Sequence, residues 1–304
     1  MTGLPARNVV IAAVATPVGP DYRPDGELLL ARCRQLLAEG CDGITLFGTT
    51  GEGAEFSVAD RQQILEQVIF GGLDPRRLIV SAGALTLPDM TALAAHATEQ
   101  GVAGVLLMPP CMYRGGIGDD GTFRFYATVI DRVASDALRL YLYHFPDISG
   151  VPVTTRVIRR LSEKYGPVIA GVKDSGGDFG FTEDVLRRFS HLAVYTGSET
   201  HVPSALAAGA RGTICGLANV IARLMRAMSD APTLPDRWRY VPSVQAVDSI
   251  LSRGPFIPSI KAVIAEAMQQ PAWRRVVPPM AELPLFDENR LLTDFGKLAA
   301  AFPR

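Results

Sequence analysis

The sequence predicts an α/β protein, a (β/α)8 barrel followed by a C-terminal helical extension. Three observations carry this reading. Eight short apolar segments recur between residues 9 and 215. Each is separated from the next by helical spacing or turn residues. The segments are apolar on both faces, the mark of parallel strands covered on both sides. Eight such units fit a closed barrel, and an open doubly wound sheet is the alternative with the same local pattern. The barrel is assigned to residues 1–225 and the extension to 226–304.

Residues 9–15 form the first strand, closed by Thr16-Pro17. Turn residues follow at 21–26, then an amphipathic helix over 27–39 that stops at Gly40. Strand two covers 43–47. Ser57 caps a helix over 58–70, with Asp60 three residues on as a partial capping box. Strand three is 78–82, with a helix over 88–100. Strand four is 104–108 and ends in Pro109-Pro110, with a helix over 122–133. Strand five is 138–143, followed by a helix over 154–164. Strand six is 168–173, with a helix over 181–189. Strand seven is 192–196 and strand eight is 212–215, with a helix over 202–208 between them. Beyond Asn219 no strand is evident, and helices are expected over 220–229, 237–251, 257–269 and 291–302.

Bulk properties exclude several classes. The 304 residues are 48% hydrophobic and 20% charged, an ordinary globular balance. A net charge of −1 gives no field for nucleic acid or an acidic membrane surface. The four cysteines, Cys33, Cys41, Cys111 and Cys215, form no CxxC and are expected to be reduced core thiols. No His/Asp/Glu cluster has metal spacing, so no metal is expected. Residues 1–8 lack the pattern of a signal segment, and no apolar run is long enough for a membrane span. A cytoplasmic protein is expected.

The chemistry centres on Val172-Lys173-Asp174-Ser175. Of the four lysines, Lys164, Lys261 and Lys297 lie in helix-like surroundings and are read as solvated. Lys173 alone ends a buried strand. Burial disfavours an ammonium, and a neutral amine is a nucleophile towards carbonyls. A lysine that snorkels to water from a strand end is the structural alternative. In a parallel barrel the site forms at the C-terminal strand ends. There Thr49, Thr50, Tyr113, Tyr143 and Glu199 join Lys173 on one rim. Gly48-Thr49-Thr50-Gly51-Glu52 offers backbone amides and two hydroxyls to an anion, or is simply a tight capped turn. Tyr143 is either a proton shuttle or rim packing. His144 adjoins it, but strand alternation points the imidazole to the other face. His96, His191 and His201 read as surface or helix-edge residues.

Gly48-Thr49-Thr50-Gly51-Glu52, Tyr143-His144-Phe145-Pro146 and Gly171-Val172-Lys173-Asp174-Ser175 together resemble the dihydrodipicolinate synthase / N-acetylneuraminate lyase family. The resemblance runs from Ala15-Thr16-Pro17 to about Asn219, and Pro258-Ser259-Ile260-Lys261 also looks like a family segment. It implies class I aldolase chemistry with no cofactor. Lys173 would form a Schiff base with pyruvate or a 2-oxo acid. Thr49 and Thr50 would hold the carboxylate and join a relay with Tyr143. Gly48, Ser175, Gly197, Glu199 and Ile214 would contact substrate. The resemblance also implies a homo-oligomer, tetramer or dimer, and an aldehyde as second substrate. Two departures stand out. Ile148 occupies the place of an arginine that binds the aldehyde's carboxylate in the synthases. The run from Pro146 to Val151 looks more like the sialic acid lyase and 2-keto-3-deoxy sugar-acid aldolase branches. Met112 stands where the family has a tyrosine that crosses a dimer interface, with Tyr113 one residue late. A 2-keto-3-deoxy sugar acid is the expected substrate. Dihydrodipicolinate synthesis, a sugar-acid dehydratase and a non-enzymatic 2-oxo-acid-binding regulator are the alternatives.

Overall fold

Eight strands close in chain order into one barrel: β1 (Val9–Ala13), β2 (Gly43–Leu46), β3 (Leu78–Ser81), β4 (Gly104–Leu107), β5 (Leu140–His144), β6 (Ile169–Asp174), β7 (Ala193–Thr196) and β8 (Gly212–Cys215). The computed structural model describes residues 4, 5 and 7–302. The expectation for residues 1–8 therefore falls partly outside the described residues. All strand pairs are parallel, and β1 closes on β8 with Val9 opposite Gly212 and Ile11 opposite Ile214. Closure excludes the open sheet. Among the described residues, no helix is long and apolar enough to cross a membrane.

The helices are α1 (Gly26–Ala38), α2 (Val58–Phe70), α3 (Leu87–Glu99), α4 (Gly118–Val133), α5 (Pro146–Ser149), α6 (Thr155–Tyr165), α7 (Phe179–Arg188), α8 (Val202–Ala207), α9 (Ala218–Asp230), α10 (Leu234–Trp238), α11 (Val241–Leu251), α12 (Phe256–Met268) and α13 (Leu285–Ala299). Side-chain caps set several starts. At α2, Ser57 Oγ accepts the Asp60 N–H at 3.1 Å and donates to the Asp60 carboxylate at 2.6 Å. This is the expected box in a shortened form, since aspartate reaches the cap hydroxyl rather than its N–H.

Strands are apolar on both faces because each face has its own core. Outward residues pack on the helices. Inward residues, including Val9, Ile11, Ile79, Leu106, Tyr141, Tyr195 and Ile214, fill the barrel. The Tyr141 ring occupies space that glycines leave. A Cβ on Gly104 would come within 2.4 Å of that ring, and one on Gly171 within 2.9 Å. Tyr141 meets Tyr195 edge to face at 5.9 Å. The barrel is thus filled with side chains, and the space for chemistry lies at the C-terminal strand ends.

Four expectations need correction. α4 begins at Gly118, four residues early, where Asp119 and Asp120 complement the helix dipole despite the glycines. The helix expected over 237–251 breaks into α10 and α11, because Pro242 lacks an N–H and falls in the first turn of α11. α13 starts at Leu285, directly after Pro284. Lys261 is not solvated: α12 lies sandwiched in the extension, and this lysine is fully buried.

Candidate active site

Lys173 stands one residue from the end of β6, 5% exposed, with its side chain turned into the barrel mouth. Alternation along the strand explains what it does not touch. Asp174 points to the outer face, where its carboxylate accepts from the Gly176 N–H at 2.9 Å and from the Thr182 hydroxyl on α7. The carboxylate next to Lys173 in sequence is therefore not its partner. The partner is aromatic. Tyr143 is its cross-strand neighbour on β5, and Lys173 Nζ sits 4.2 Å from the centre of the Tyr143 ring. Phe145 packs beside that ring at 5.8 Å.

Across the mouth lies the turn after β2. Gly51 N–H donates to Gly48 O at 3.0 Å, Glu52 N–H to Thr49 O at 3.1 Å and Gly53 N–H to Gly48 O at 3.2 Å. The glycines are required by close approach. A Cβ on Gly53 would lie 1.9 Å from Phe47 O, and one on Gly51 2.7 Å from Val14 O. Thr16 Oγ1 donates to Gly51 O at 2.7 Å and ties the turn to the end of β1. Among the described residues, the amides of Thr49 and Thr50 find no acceptor. Two half-buried threonines with unused N–H groups make a ready carboxylate cradle.

Glu52, last of the same motif, does not face this cradle. It takes a left-handed conformation at φ 53° and is 4% exposed. Its carboxylate pairs with Lys261 and also accepts the Val277 N–H at 2.8 Å. Lys261 Nζ completes the link by donating to Arg275 O at 2.9 Å. Burial lowers the Lys261 pKa, and the Glu52 charge opposes that. The extension is thus anchored beneath the turn that carries Thr49 and Thr50.

One cleft of about 430 Å³ joins Thr49, Thr50, Tyr143, Lys173, Ser175, Gly197, Glu199 and Ile214. These are eight of the ten residues singled out from the sequence. Ser175 N–H donates to His144 O at 2.8 Å, and Gly197 N–H to Asp174 O at 2.6 Å, which fixes both loops to the strand ends. A Cβ on Gly197 would fall 2.0 Å from Ser175 Oγ. Glu199 accepts the Leu217 N–H at 2.9 Å. Burial raises its carboxyl pKa, and this hydrogen bond works against the rise. Gly48 lies in an adjoining cavity that shares Thr49 and Tyr143 with the cleft. No hydrogen bond joins the Thr49 and Tyr143 hydroxyls among the described residues.

Tyr113 stands apart. It is 63% exposed, beside Met112 at 68%, on a surface groove with Leu85 and Phe125. It does not line the cleft. Cys111 is half-buried at the adjoining cavity and is no core thiol, unlike Cys33, Cys41 and Cys215. His144 points away from Tyr143, as alternation requires. Its Nδ1 accepts the Val153 N–H at 3.1 Å, and its ring stacks on Phe181 at 4.0 Å. Burial lowers its pKa, against the pull of Asp174.

Sequence reasoning missed one wall. Gly216, Phe256, Ile257, Pro258 and Met280 complete the cleft from β8 and the extension. Apolar residues at a helix start carry no chemical signature. The signal that existed was Lys261, a lone cation in an otherwise apolar helical run.

The Dihydrodipicolinate synthetase family model matches residues 6–285. A DapA-like lyase of Chloroflexus aurantiacus is 35% identical over 223 residues, 73% of this chain and 74% of that protein. The N-acetylneuraminate lyase of Salmonella typhimurium is 29% identical over 238 residues, 78% of this chain and 73% of the relative. The crystal structure of dihydrodipicolinate synthase from Agrobacterium tumefaciens superposes with a TM-score of 0.88 at 28% identity, covering 96% of this chain and 99% of that one. With its closed (β/α)8 barrel, the chain belongs to the Dihydrodipicolinate synthetase family and is a lyase of the aldolase kind.

Proposed function

We propose that this chain forms or cleaves the C3–C4 bond of a 4-hydroxy-2-oxo acid through a Schiff base on Lys173, with pyruvate as one component. The observation that supports this is convergence. An amine, a phenol and two threonines from the ends of β6, β5 and β2 share one cleft. In the condensing direction the Lys173 amine adds to C2 of pyruvate and water leaves, giving an iminium. Thr49 and Thr50 hold the carboxylate. The iminium withdraws electrons, so C3 gives up a proton to Tyr143, relayed with Thr49, and becomes an enamine carbon. That carbon bonds to the aldehyde carbon, and the aldehyde oxygen takes the proton and becomes the 4-hydroxyl. Water then hydrolyses the iminium, releasing the 2-oxo acid and the free amine. Cleavage is the reverse. 2-Keto-3-deoxy sugar acids are one class of such substrates, and the relation to N-acetylneuraminate lyase supports a member of the wider class.

Borohydride reduction with pyruvate, followed by peptide mass spectrometry, tests the assignment. One reduced pyruvate adduct on Lys173 is expected. Its absence, with the protein folded, would overturn the reading.

Dihydrodipicolinate synthesis is the second reading, supported by the Agrobacterium relative. Ile148 opposes it, since an apolar side chain cannot pair with the carboxylate of aspartate semialdehyde. Losing one partner of a buried charge pair costs about 2–5 kcal/mol in binding. A coupled assay with aspartate semialdehyde is expected to show only trace turnover. We also propose a homo-oligomer, dimer or tetramer, in the cytoplasm. Leu85, Met112 and Tyr113, 62%, 68% and 63% exposed, give an apolar patch suited to a second copy. Light scattering is expected to give at least twice the 32.7 kDa chain mass.

A further inference from the structure

Among the described residues His144 is the one buried histidine, 7% exposed, and the chemistry proposed above does not use it. It ends β5 next to Tyr143 and turns towards α7, so its ring lies behind the cleft wall. Two loops of that wall meet at this residue. From one side the Val153 N–H donates to His144 Nδ1 at 3.1 Å. From the other the Ser175 N–H donates to His144 O at 2.8 Å. The ring also fills the space under the turn between β6 and α7. A Cβ on Gly176 would fall 2.9 Å from His144 Nε2. Phe181 stacks on the ring at 4.0 Å.

The segment over 145–153 is knit to itself. The Ser149 N–H donates to Phe145 O at 2.9 Å, the Gly150 N–H to Pro146 O at 2.7 Å, and Ser149 Oγ to Val151 O at 2.9 Å. A unit so bonded moves as one piece. It carries Phe145 and Ile148, and Ser175 stands on the facing loop. All three line the cleft with Lys173. On its outer side Arg114 donates to Ile148 O at 3.0 Å. The segment returns to the barrel at Val153, which is fully buried, so its N–H has no water to turn to.

Only one form of the imidazole accepts at Nδ1. It is neutral, with its proton on Nε2. A second proton sets N–H against N–H and leaves the Val153 amide without an acceptor. Three carboxylates face the ring and favour that proton: Asp174 on β6, Asp147 on α5 and Asp178 before α7. Asp174 already accepts from the Gly176 N–H and the Thr182 hydroxyl. Asp147 and Asp178 are exposed and screened by water. Burial works against all three and prevails, holding the ring neutral at pH 7.

We propose that His144 is a positioning residue with an acid-sensitive grip: the neutral ring clamps segment 145–153 to the barrel beside Ser175, and a proton at Nδ1 releases it. Release loosens one wall of the cleft and leaves Thr49, Thr50 and Lys173 in place. The effect on substrate rests on the Schiff-base reading above; the clamp itself does not.

Hydrogen exchange on the intact protein tests the clamp. Protection of peptides over 145–153 is compared with that of β1 and β3 at about pH 7.5 and pH 5. At the lower pH the segment is expected to lose about tenfold more protection than the strands. His144→Gln, whose amide oxygen accepts without titrating, should hold protection level. His144→Leu, which has no acceptor, should show the low value at both. Half-saturation for borohydride trapping is then measured with pyruvate and with 2-oxohexanoate. The longer acid occupies more of the cleft, and the ratio of the two values removes the pH dependence of the shared amine. That ratio is expected to move about tenfold against 2-oxohexanoate on acidification, and to stay fixed in His144→Gln. Level protection in the unaltered protein, or an equal fall in His144→Gln, would overturn the clamp. A fall in protection with an unmoved ratio would overturn the positioning role. Loss of protection with no adduct at either pH would remove the Schiff-base reading and leave the clamp standing.

Discussion

Lys173 and Lys261 are both buried, both near the same cleft, and made different by one neighbour. Lys261 faces a carboxylate and is consumed by it. Lys173 faces the Tyr143 ring and the cleft, and makes no ion pair among the described residues. An amine without an ion-pair partner stays available to a carbonyl, and this is why Lys173 is the proposed nucleophile. Lys173→Arg keeps the charge and removes the nucleophile. Pyruvate release is expected to fall below detection, with no borohydride adduct, while the melting temperature changes little. Tyr143→Phe keeps the ring against Nζ and deletes the hydroxyl. A loss of about 10²–10⁴-fold in kcat is expected, the usual worth of a positioned proton donor. Its adduct should still form, which separates proton transfer from amine attack. Lys173 was legible because an apolar run ends in it. Lys261 was misread because a lone lysine in a helical stretch is usually solvated, and only the buried carboxylate opposite it shows otherwise.

Secondary-structure elements explain what alternation can and cannot reveal. Along β5 and β6, Tyr143 and Lys173 turn inward, whereas His144 and Asp174 turn outward onto α7. The outward pair has a consequence for stability. The folded protein holds the His144 pKa below its ordinary 6.5. Below about pH 6.5 the unfolded chain therefore takes up a proton that the folded chain resists, so stability present at neutral pH is lost on acidification. His144→Gln should flatten that part of the melting-temperature profile between pH 7.5 and 5. An unchanged slope would place the acid sensitivity elsewhere. All eight strands were legible because two buried faces keep each run mostly apolar, even where Thr45, Ser81 or Thr213 interrupts it. Helix boundaries were less so. Gly118 and Gly121 disguised the start of α4, and Pro242 divided a stretch whose apolar spacing runs on unbroken.

At the scale of the whole molecule, the extension is part of the site rather than an appendage. Phe256, Ile257, Pro258 and Met280 wall the cleft, and the Glu52–Lys261 pair binds that wall to the turn holding both threonines. We place the start of the extension after α9, which runs through residue 225 and packs on β1. Removing one member of a buried pair leaves an uncompensated charge, a loss of about 3–5 kcal/mol. Lys261→Met should lower the melting temperature sharply. Adding Glu52→Gln should recover part of it, and the double variant should still show a raised KM for pyruvate with a smaller change in kcat. A single variant as stable as the unaltered protein would remove the anchor's role. None of this coupling was legible from spacing, because the partners lie far apart in the chain and the contact is made by burial alone. The same geography sets an order of events during synthesis. β1 is closed by β8, with Val9 paired to Gly212, so on the order of 200 residues must emerge before either strand loses its open edge. A ribosome paused before residue 212 therefore holds a chain that already contains the amine and the threonine turn but is an open, adhesive sheet. Competence for chemistry arrives only with the last third of the chain, when the barrel shuts and the helices beyond it dock.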